Sequence, residues 1–363
     1  MTTTAPRATV VGGLRERFFR LAERVTTPLL PSDYLDVIDP LRSPSALRGR
    51  VVAIHPETRD AVSVVIQPGR NWRRHVPGQY VRVGVDVDGV RQWRAYSLTS
   101  NARRLDGHIV ITVKAIPGGV VSNHLVRRVN VGTVVQLEQA AGEFILGPRQ
   151  PKKILFVTAG SGITPVMGML RNVNDGDSDV VVVHSAPSPD DVIFGGELRM
   201  MARQGRIRLV ENHTDINSRI DPATLGDLVG DFAERQTWAC GPADLLDALQ
   251  ARWDAAGITD RLHVERFRPA VIAAGNGGTV TFAKSDTVVH ADGAQTLLDA
   301  GEAAGVLMPS GCRMGICFGC VAPLRHGAVR DVRTGDVTTV APGDNVAVQT
   351  CVSAAAGACN IDL

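Results

Sequence analysis

The chain has 363 residues, a length that predicts two or three domains rather than a single core. Its 39 Lys and Arg residues against 37 Asp and Glu give a net charge of +2, which excludes a strong field for nucleic acid. The 6 cysteines are too sparse for a disulfide scaffold, and no apolar run of about 18 residues predicts a transmembrane helix. Because the N-terminus also lacks the apolar core of a signal peptide, we expect a cytoplasmic protein.

Residues 1–46 are predicted to form an N-terminal arm. Residues 13–27 place apolar side chains at helical spacing among arginines, which indicates an amphipathic helix. Such a helix could make a peripheral membrane contact or pack against the next domain. Packing is the more common arrangement, since a single short helix binds membranes weakly.

Residues 47–149 are predicted to form an antiparallel β-barrel. Short β-branched runs such as "AVSVVIQP" and "HIVITVKAI" recur there, separated by turn sequences such as Asp88-Gly89 and Asp106-Gly107.

The heptapeptide "RAYSLTS", residues 94–100, predicts a flavin site on this barrel. It resembles the flavin-binding signature of the ferredoxin–NADP reductase superfamily. The resemblance implies that Arg94 neutralises the flavin pyrophosphate, with Ala95 beside it in the site. It further implies that Tyr96 lies against the isoalloxazine and that Ser97 reaches the redox-active nitrogen. An edge strand with ordinary exposed side chains is the alternative.

The segment "VKAIPGGVVSNHL" follows at the distance expected in this superfamily. By resemblance, Lys114 precedes the turn, and Gly119, Val120, Val121 and Ser122 open a helix whose amides hold the second phosphate region. The segment resembles the FAD branch more than the FMN-using phthalate-type branch, which has the same domain order. FAD is therefore the expected cofactor.

Residues 150–267 are predicted to form an NAD(P)-binding α/β domain. After Pro151, strands alternate with glycine-rich turns and helices, as in "KKILFVTAG" followed by "SGITPVMGMLRNV". This alternation predicts a parallel sheet with both faces covered and with its ligand at the carboxyl edge.

Two turns of this domain resemble the NAD(P)H site of the superfamily. "GSGITP" is the superfamily's form of the glycine turn, and "CGP" is its partner turn. The resemblance implies that the nucleotide-binding residues are Gly160, Ser161, Gly162, Thr164, Pro165, Gly241 and Pro242. It places Cys240 beside the nicotinamide carbon that gives up hydride, with a small buried strand-end residue as the alternative. "HVERF" resembles the end of the reductase module and places residues Glu265 to Phe267 close to the flavin.

The sequence leaves NADPH and NADH open as the donor. Related reductases often carry Arg where this chain has Pro187. Ser185, Ser188, Arg199 and Arg203 could still bind a 2′-phosphate, although exposed helix arginines are more often solvated.

Residues 268–278 are small and glycine-rich and are predicted to be a flexible linker, with a further domain at 279–363. In that domain Cys312, Cys317 and Cys320 have C-x4-C-x2-C spacing, and Cys351 follows Cys320 after 30 intervening residues. This spacing is typical of a plant-type [2Fe–2S] cluster.

Zinc and a redox dithiol are the competing interpretations of these cysteines. Zinc usually takes two C-x2-C pairs, and a dithiol would leave Cys312 and Cys351 unexplained. Cys359 fits the fourth-ligand spacing less well than Cys351 and is expected to be a bystander. The segment resembles plant-type ferredoxin, which implies a β-grasp fold.

The order of the three domains predicts an NAD(P)H-dependent oxidoreductase. Hydride carries two electrons and a [2Fe–2S] cluster stores one, so a flavin is needed between them. The chain resembles the fused reductases that serve bacterial oxygenases and desaturases, and its arm most resembles those of membrane-bound fatty acyl-CoA desaturases, which usually use NADPH. We therefore expect such a desaturase as acceptor, with membrane association through that partner.

Two other functions are kept open. One is the reductase component of a soluble aromatic-ring or steroid hydroxylase. The other is a redox sensor or scaffold without turnover, which would need an effector surface or nucleic-acid patch.

Overall fold

A computed structural model describes residues 39–42, 46–174, 176–267 and 276–363 of the chain. The predicted N-terminal helix and residues 268–275 of the predicted linker lie outside these ranges. Within them, no helix combines the length and the apolar character that crossing a membrane requires.

The first domain is a six-stranded antiparallel barrel. Its strands are β1 Arg48–Thr58, β2 Ala61–Pro68, β3 Tyr80–Val87, β4 Val90–Ser97, β5 Ile109–Lys114 and β6 Val134–Leu137. They are ordered β4-β3-β6-β1-β2-β5, and a bridge between Leu98 and Ile111 joins the two outer strands. Helix α1, Val120–Arg127, packs Val121 and Leu125 into the valine-rich core. The predicted barrel is confirmed.

The second domain is a five-stranded parallel sheet ordered β11-β10-β7-β8-β9. Its strands are β7 Lys153–Ala159, β8 Asp179–Ala186, β9 Arg208–His213, β10 Gln236–Cys240 and β11 Leu262–Glu265. Its helices are α2 Ile163–Leu170, α3 Gly195–Arg203, α4 Leu225–Leu228 and α5 Ala243–Ala255.

Both faces of the parallel sheet are buried, as predicted. Side chains alternate along β7, so Phe156 enters one core with α2 and α3, while Leu155 enters the other with Trp253 of α5. Arg171, which follows α2, donates to the Thr99 carbonyl at 2.6 Å and so joins this domain to the barrel.

The third domain has the predicted β-grasp arrangement. Its strands are β12 Gly278–Phe282, β13 Thr287–Ala291, β14 Val321–Asp331, β15 Val337–Val340, β16 Val346–Gln349 and β17 Ser353–Ile361, with one helix, α6 Leu297–Ala303. The order is β13-β12-β17-β14-β15, with β12 and β17 parallel and β16 paired to β14. Strand pairing begins at Gly278, the last residue of the predicted linker.

Candidate functional site

A cleft forms where the three domains meet. The barrel, the parallel-sheet domain and the β-grasp domain all contribute to its walls. The predicted site residues that line it are Ala95, Tyr96, Ser97, Lys114, Ser161, Thr164, Phe267 and Cys312. The structure therefore brings the predicted flavin residues next to one of the predicted cluster ligands.

Strands β3 and β4 build the barrel wall of this cleft. Their antiparallel pairing sets Tyr80 opposite Ser97 and Val81 opposite Tyr96. Ser97 is buried, and burial raises the pKa of the Tyr96 phenol well above its usual range. A neutral aromatic ring and a sheltered hydroxyl suit a planar heterocycle that is to be shielded from water.

Glu265, at the end of β11, lines the same cleft, close to which the "HVERF" motif placed it without a specific role. Its Oε2 is buried without a hydrogen-bond partner among the described residues, and burial raises the pKa of its carboxyl to about 8. A buried polar atom without a partner, aimed into a cleft, fits a ligand that carries hydrogen-bonding groups. The residues of the cleft are thus compatible with a flavin ring.

Arg94 is not in the cleft wall, although the resemblance implied a pyrophosphate contact. It lies on the same face of β4 as Tyr96, one pleat away. There its Nη1 donates to the Trp93 carbonyl at 2.7 Å and to Ser310 Oγ at 3.3 Å. The structure places Arg94 at the contact with the β-grasp domain.

The predicted phosphate-binding turn opens α1, as expected. Gly119 is the N-cap residue, and Val120 and Ser122 lie in the first turn, where the Ser122 hydroxyl donates to the Gly119 carbonyl at 3.4 Å. Val121 points into the barrel core and is 1% exposed. The phosphate contact of this turn stays a prediction.

A larger cavity of about 500 Å³ lies at the carboxyl ends of β7, β8 and β10. Gly160 and Pro242 from the two predicted turns line it, while Ser161 and Thr164 face the flavin cleft. The first turn therefore separates the two cavities. Its position matches the edge at which parallel sheets bind ligands.

The two turns pack directly on each other at Gly162. A Cβ atom at this position would collide with the Cys240 carbonyl, and the backbone at Gly162 is ordinary right-handed helix with φ −61°. Gly162 is thus required for close approach rather than for an unusual backbone conformation. Pro165 and Gly241 lie in the same pair of turns, Pro165 within α2 and Gly241 after β10.

Cys240 is fully buried at the end of β10, beside Glu265 of the neighbouring strand. Burial raises the pKa of its thiol well above the usual range, so the sulfur is a neutral thiol. Of the two cavities described here, Cys240 lines neither. Its position beside the nicotinamide stays a prediction.

Of the residues suggested for binding a 2′-phosphate, one lines the large cavity and others are bonded to acidic side chains. Ser185 lines the large cavity, but Ser188 donates to Asp191 at 2.7 Å, and Arg199 forms a two-pronged pair with Glu211 at 2.9 Å. The cavity instead receives Arg219, from the loop after β9. Arg219 was not predicted, because contacts to a 2′-phosphate were expected from the loop after β8.

The four predicted cluster ligands lie as two pairs. The thiols of Cys312 and Cys317 contact each other, and Cys320 Sγ lies 3.2 Å from Cys351 Sγ. Across the described ranges, no three His, Cys, Asp or Glu side chains converge as the ligands of one metal ion would. Two thiol pairs fit a binuclear cluster, in which each iron takes two protein sulfurs, better than a single zinc ion.

The backbone of the cysteine loop is arranged for thiolates. Cys312 N–H points at Cys317 Sγ at 3.1 Å, and Met314 N–H points at Cys312 Sγ at 3.3 Å. Within each pair the thiol–thiol hydrogen bond lowers the pKa of one sulfur, Cys317 or Cys320, and raises the pKa of the other, Cys312 or Cys351. Thiolates are the form that binds iron. Cys359 is also buried, but it lies on β17 opposite Gly327.

Comparison with known families agrees with this geometry. Residues 70–145 match an oxidoreductase FAD-binding domain, residues 156–251 an oxidoreductase NAD-binding domain, and residues 280–356 a 2Fe-2S iron-sulfur cluster binding domain. An NADPH oxidoreductase of Mycobacterium tuberculosis is 48% identical over 351 residues, covering 95% of this chain and 91% of that protein.

The chain belongs to the ferredoxin–NADP reductase superfamily, in its branch fused to a plant-type ferredoxin domain. The reductase binds FAD, a [2Fe–2S] cluster and NAD(P)H. It passes electrons from NAD(P)H through FAD to the cluster, as in the reductases of oxygenase systems.

Two further similarities concern the branch and the fold. The reductase is 29% identical to the ferredoxin reductase component of 3-ketosteroid-9-alpha-monooxygenase of Mycolicibacterium smegmatis, covering 78% of this chain and 86% of that one. Its fold is similar to that of phthalate dioxygenase reductase, with a TM-score of 0.58 and 22% identity, over 87% of this chain and 97% of the other.

Proposed function

We propose that the reductase uses NADPH and delivers single electrons to a separate oxygen-activating iron protein. The observation that carries this proposal is the position of Cys312, which belongs to the cluster site and also lines the flavin cleft. A ligand of the cluster is thus part of the flavin's own binding wall.

The chemistry that bound FAD supplies is the conversion of a two-electron hydride into single electrons. Tyr96 and Ser97 form the barrel side of the cleft, and Ser161 and Thr164 bring the edge of the nucleotide domain to it. Cys312 and Met314 close the third side. We assign these residues the roles of orienting the ring and excluding water between donor and acceptor.

The outer side of the cysteine loop is suited to contact with an electron acceptor. Ile316 is 51% exposed and Phe318 is 67% exposed, and the two residues flank Cys317. Large apolar side chains with this exposure, next to a redox centre, favour transient docking of another protein.

The donor proposal rests on the large cavity and on the relative named as an NADPH oxidoreductase. Arg219 at the cavity wall supplies a cation, and Ser185, Thr214 and Ser218 supply hydroxyls. Together they could bind a 2′-phosphate, although Pro187 stands where related reductases often carry Arg.

For the acceptor, we propose a membrane-bound fatty acyl-CoA desaturase. The N-terminal arm resembles that of desaturase reductases. The match to the M. tuberculosis protein covers 95% of this chain and so extends into the arm, whereas the steroid monooxygenase component matches 78%. The second candidate is a soluble aromatic-ring or steroid hydroxylase, favoured by the similarity to the ferredoxin reductase component of 3-ketosteroid-9-alpha-monooxygenase.

Reconstitution separates the two acceptors. The purified reductase is mixed with NADPH and either desaturase-containing membranes with a long-chain acyl-CoA or a purified steroid hydroxylase with its substrate. We expect desaturated product at a rate that scales with reductase and is lost without it. Hydroxylation without desaturation would identify the second candidate, and cluster reduction by NADPH without turnover of either acceptor would contradict both.

A further inference from the structure

Strand β3 connects the flavin cleft to the cysteine loop. Tyr80 and Arg82 are two residues apart and so lie on the same face of this strand. Tyr80 lines the flavin cleft. Arg82 extends from the barrel to the neighbouring domain, where its guanidinium packs against the loop that contains Cys312, Cys317 and Cys320.

Two glycines of the loop make room for this guanidinium. A Cβ atom at Gly311 would lie 2.6 Å from Arg82 Nη2, and one at Gly319 would lie 3.0 Å from the same atom. Gly311 precedes Cys312, and Gly319 lies between Cys317 and Cys320. The cation therefore lies against the backbone on both sides of the cysteine segment.

The barrel, not the loop, sets the direction of the Arg82 side chain. Nη1 donates to Glu138 Oε1 at 2.6 Å, and the guanidinium carbon lies 5.3 Å from the centre of the Trp93 ring. The side chain is 11% exposed, whereas that of Glu138 is 45% exposed. The charge of Arg82 is thus more sheltered from solvent than the charge of its partner, which solvent screens only in part.

A fixed, sheltered cation has a specific consequence at this place. When one electron moves from the reduced flavin to the cluster, the cluster site gains one unit of negative charge, and no bond to the protein forms or breaks. A cation beside Cys317 stabilises the site after that gain more than before it. The reduction potential of the site rises accordingly.

We propose that Arg82 is a cross-domain positioning residue that docks the cysteine loop on the flavin barrel and raises the reduction potential of the cluster. This role goes beyond the assignment of the outside acceptor. It concerns only transfer within the chain, so its test needs no acceptor protein.

The test compares Arg82→Gln, which removes the charge, with Arg82→Lys, which retains the charge without the planar fork. Arg91→Gln is the matched control, since Arg91 lies on the same hairpin and pairs with Asp86. The measurements on holoprotein are cluster content, cluster potential by EPR-monitored titration, and flavin-to-cluster transfer by stopped flow with NADPH.

We expect Arg82→Gln to shift the flavin–cluster electron equilibrium at least threefold towards the flavin. This corresponds to a cluster potential about 28 mV more negative, from 59 mV per tenfold change for one electron. Arg82→Lys should keep the flavin–cluster electron equilibrium within twofold of its wild-type value but slow the transfer step. Arg91→Gln should change neither quantity.

An unchanged potential in Arg82→Gln holoprotein would overturn the proposal. If that variant does not retain its cluster, Glu138→Gln provides the second test, because removal of the counter-charge should move the potential in the positive direction. An unchanged or more negative potential in Glu138→Gln would likewise overturn it.

Discussion

Cys320 Sγ lies 3.2 Å from Cys351 Sγ, although the two residues are 31 positions apart in the chain. Strand β16 pairs with the start of β14, and this pairing brings Gln349 opposite Val321. Val321 directly follows Cys320, and Gln349 lies two residues before Cys351. The sheet of the β-grasp domain thus delivers the fourth cysteine to a loop that already holds the other three.

Replacement of Cys351 by Ser should abolish the cluster while leaving the flavin in place. An alcohol is a much poorer iron ligand than a thiolate, and the remaining thiol of the pair cannot hold an iron alone. We expect loss of the cluster's visible absorption and of protein-bound iron, while NADPH still reduces ferricyanide through the flavin. Cys359→Ser is the matched control and should keep its iron. The opposite result for these two variants would show that Cys359 is the ligand.

Gly162→Ala should destabilise the nucleotide domain, because the new methyl group would collide with the Cys240 carbonyl. Overpacking of this kind costs about 1–3 kcal/mol. We expect a lower Tm and a higher KM for NADPH, since the two turns must separate. Gly196→Ala in α3, where a Cβ atom meets open space, is the control and should leave Tm unchanged or slightly higher. An unaltered Tm in Gly162→Ala would mean that the turns are not packed as described.

Arg219→Gln should reduce kcat/KM for NADPH about tenfold or more and leave NADH turnover nearly unchanged. A charged hydrogen bond to phosphate contributes about 1.5–3 kcal/mol, and NADH lacks the 2′-phosphate. Arg219 lines the nucleotide cavity and pairs with Asp244 at 2.8 Å, so it is already oriented there. Arg149→Gln, at an exposed residue before β7 and so at the opposite edge of the sheet, should affect neither donor. Equal losses with both nucleotides would show that Arg219 does not discriminate between them.

Because of Glu265, the free energy of unfolding should fall as the pH rises from about 5 to above 8. Burial raises the pKa of this carboxyl from 4.5 to about 8, so the folded protein holds a proton that the unfolded chain releases. Its contribution is therefore fully present below pH 4.5 and is lost through pH 8. Glu265→Gln should flatten this dependence in denaturant titrations across that range, whereas Glu143→Gln, at an exposed carboxyl, should not. A parallel pH profile for Glu265→Gln and wild type would contradict the assignment.

Regular local patterns predicted the barrel and the parallel sheet, and the resemblance of short motifs implied the family and the β-grasp fold. Alternating β-branched runs specify a barrel, since side chains of a strand point to opposite faces. The C-x4-C-x2-C spacing predicts the type of metal centre, because one tight loop must present three thiolates to two irons. The turns "GSGITP" and "CGP" follow β7 and β10, neighbouring strands of one parallel sheet, and therefore meet at its carboxyl edge.

The roles proposed for single charged residues depend on contacts between segments that are far apart in the chain. Arg82 and Arg219 carry no spacing that distinguishes them from other charged residues, and their importance comes from the loop and the cavity that they reach. Arg94 carries a motif that predicts a phosphate contact, which stays a prediction, and its contact with Ser310 of the β-grasp domain comes only from the structure.

The sequence by itself thus determined the domain order and the type of metal centre, because these depend on short-range periodicity and cysteine spacing, while the resemblance of short motifs implied the other cofactors. Only the tertiary structure decided which charges lie beside the cluster, the nucleotide and the flavin. Those positions depend on contacts between residues far apart in the chain, and such contacts leave no periodic pattern in the sequence.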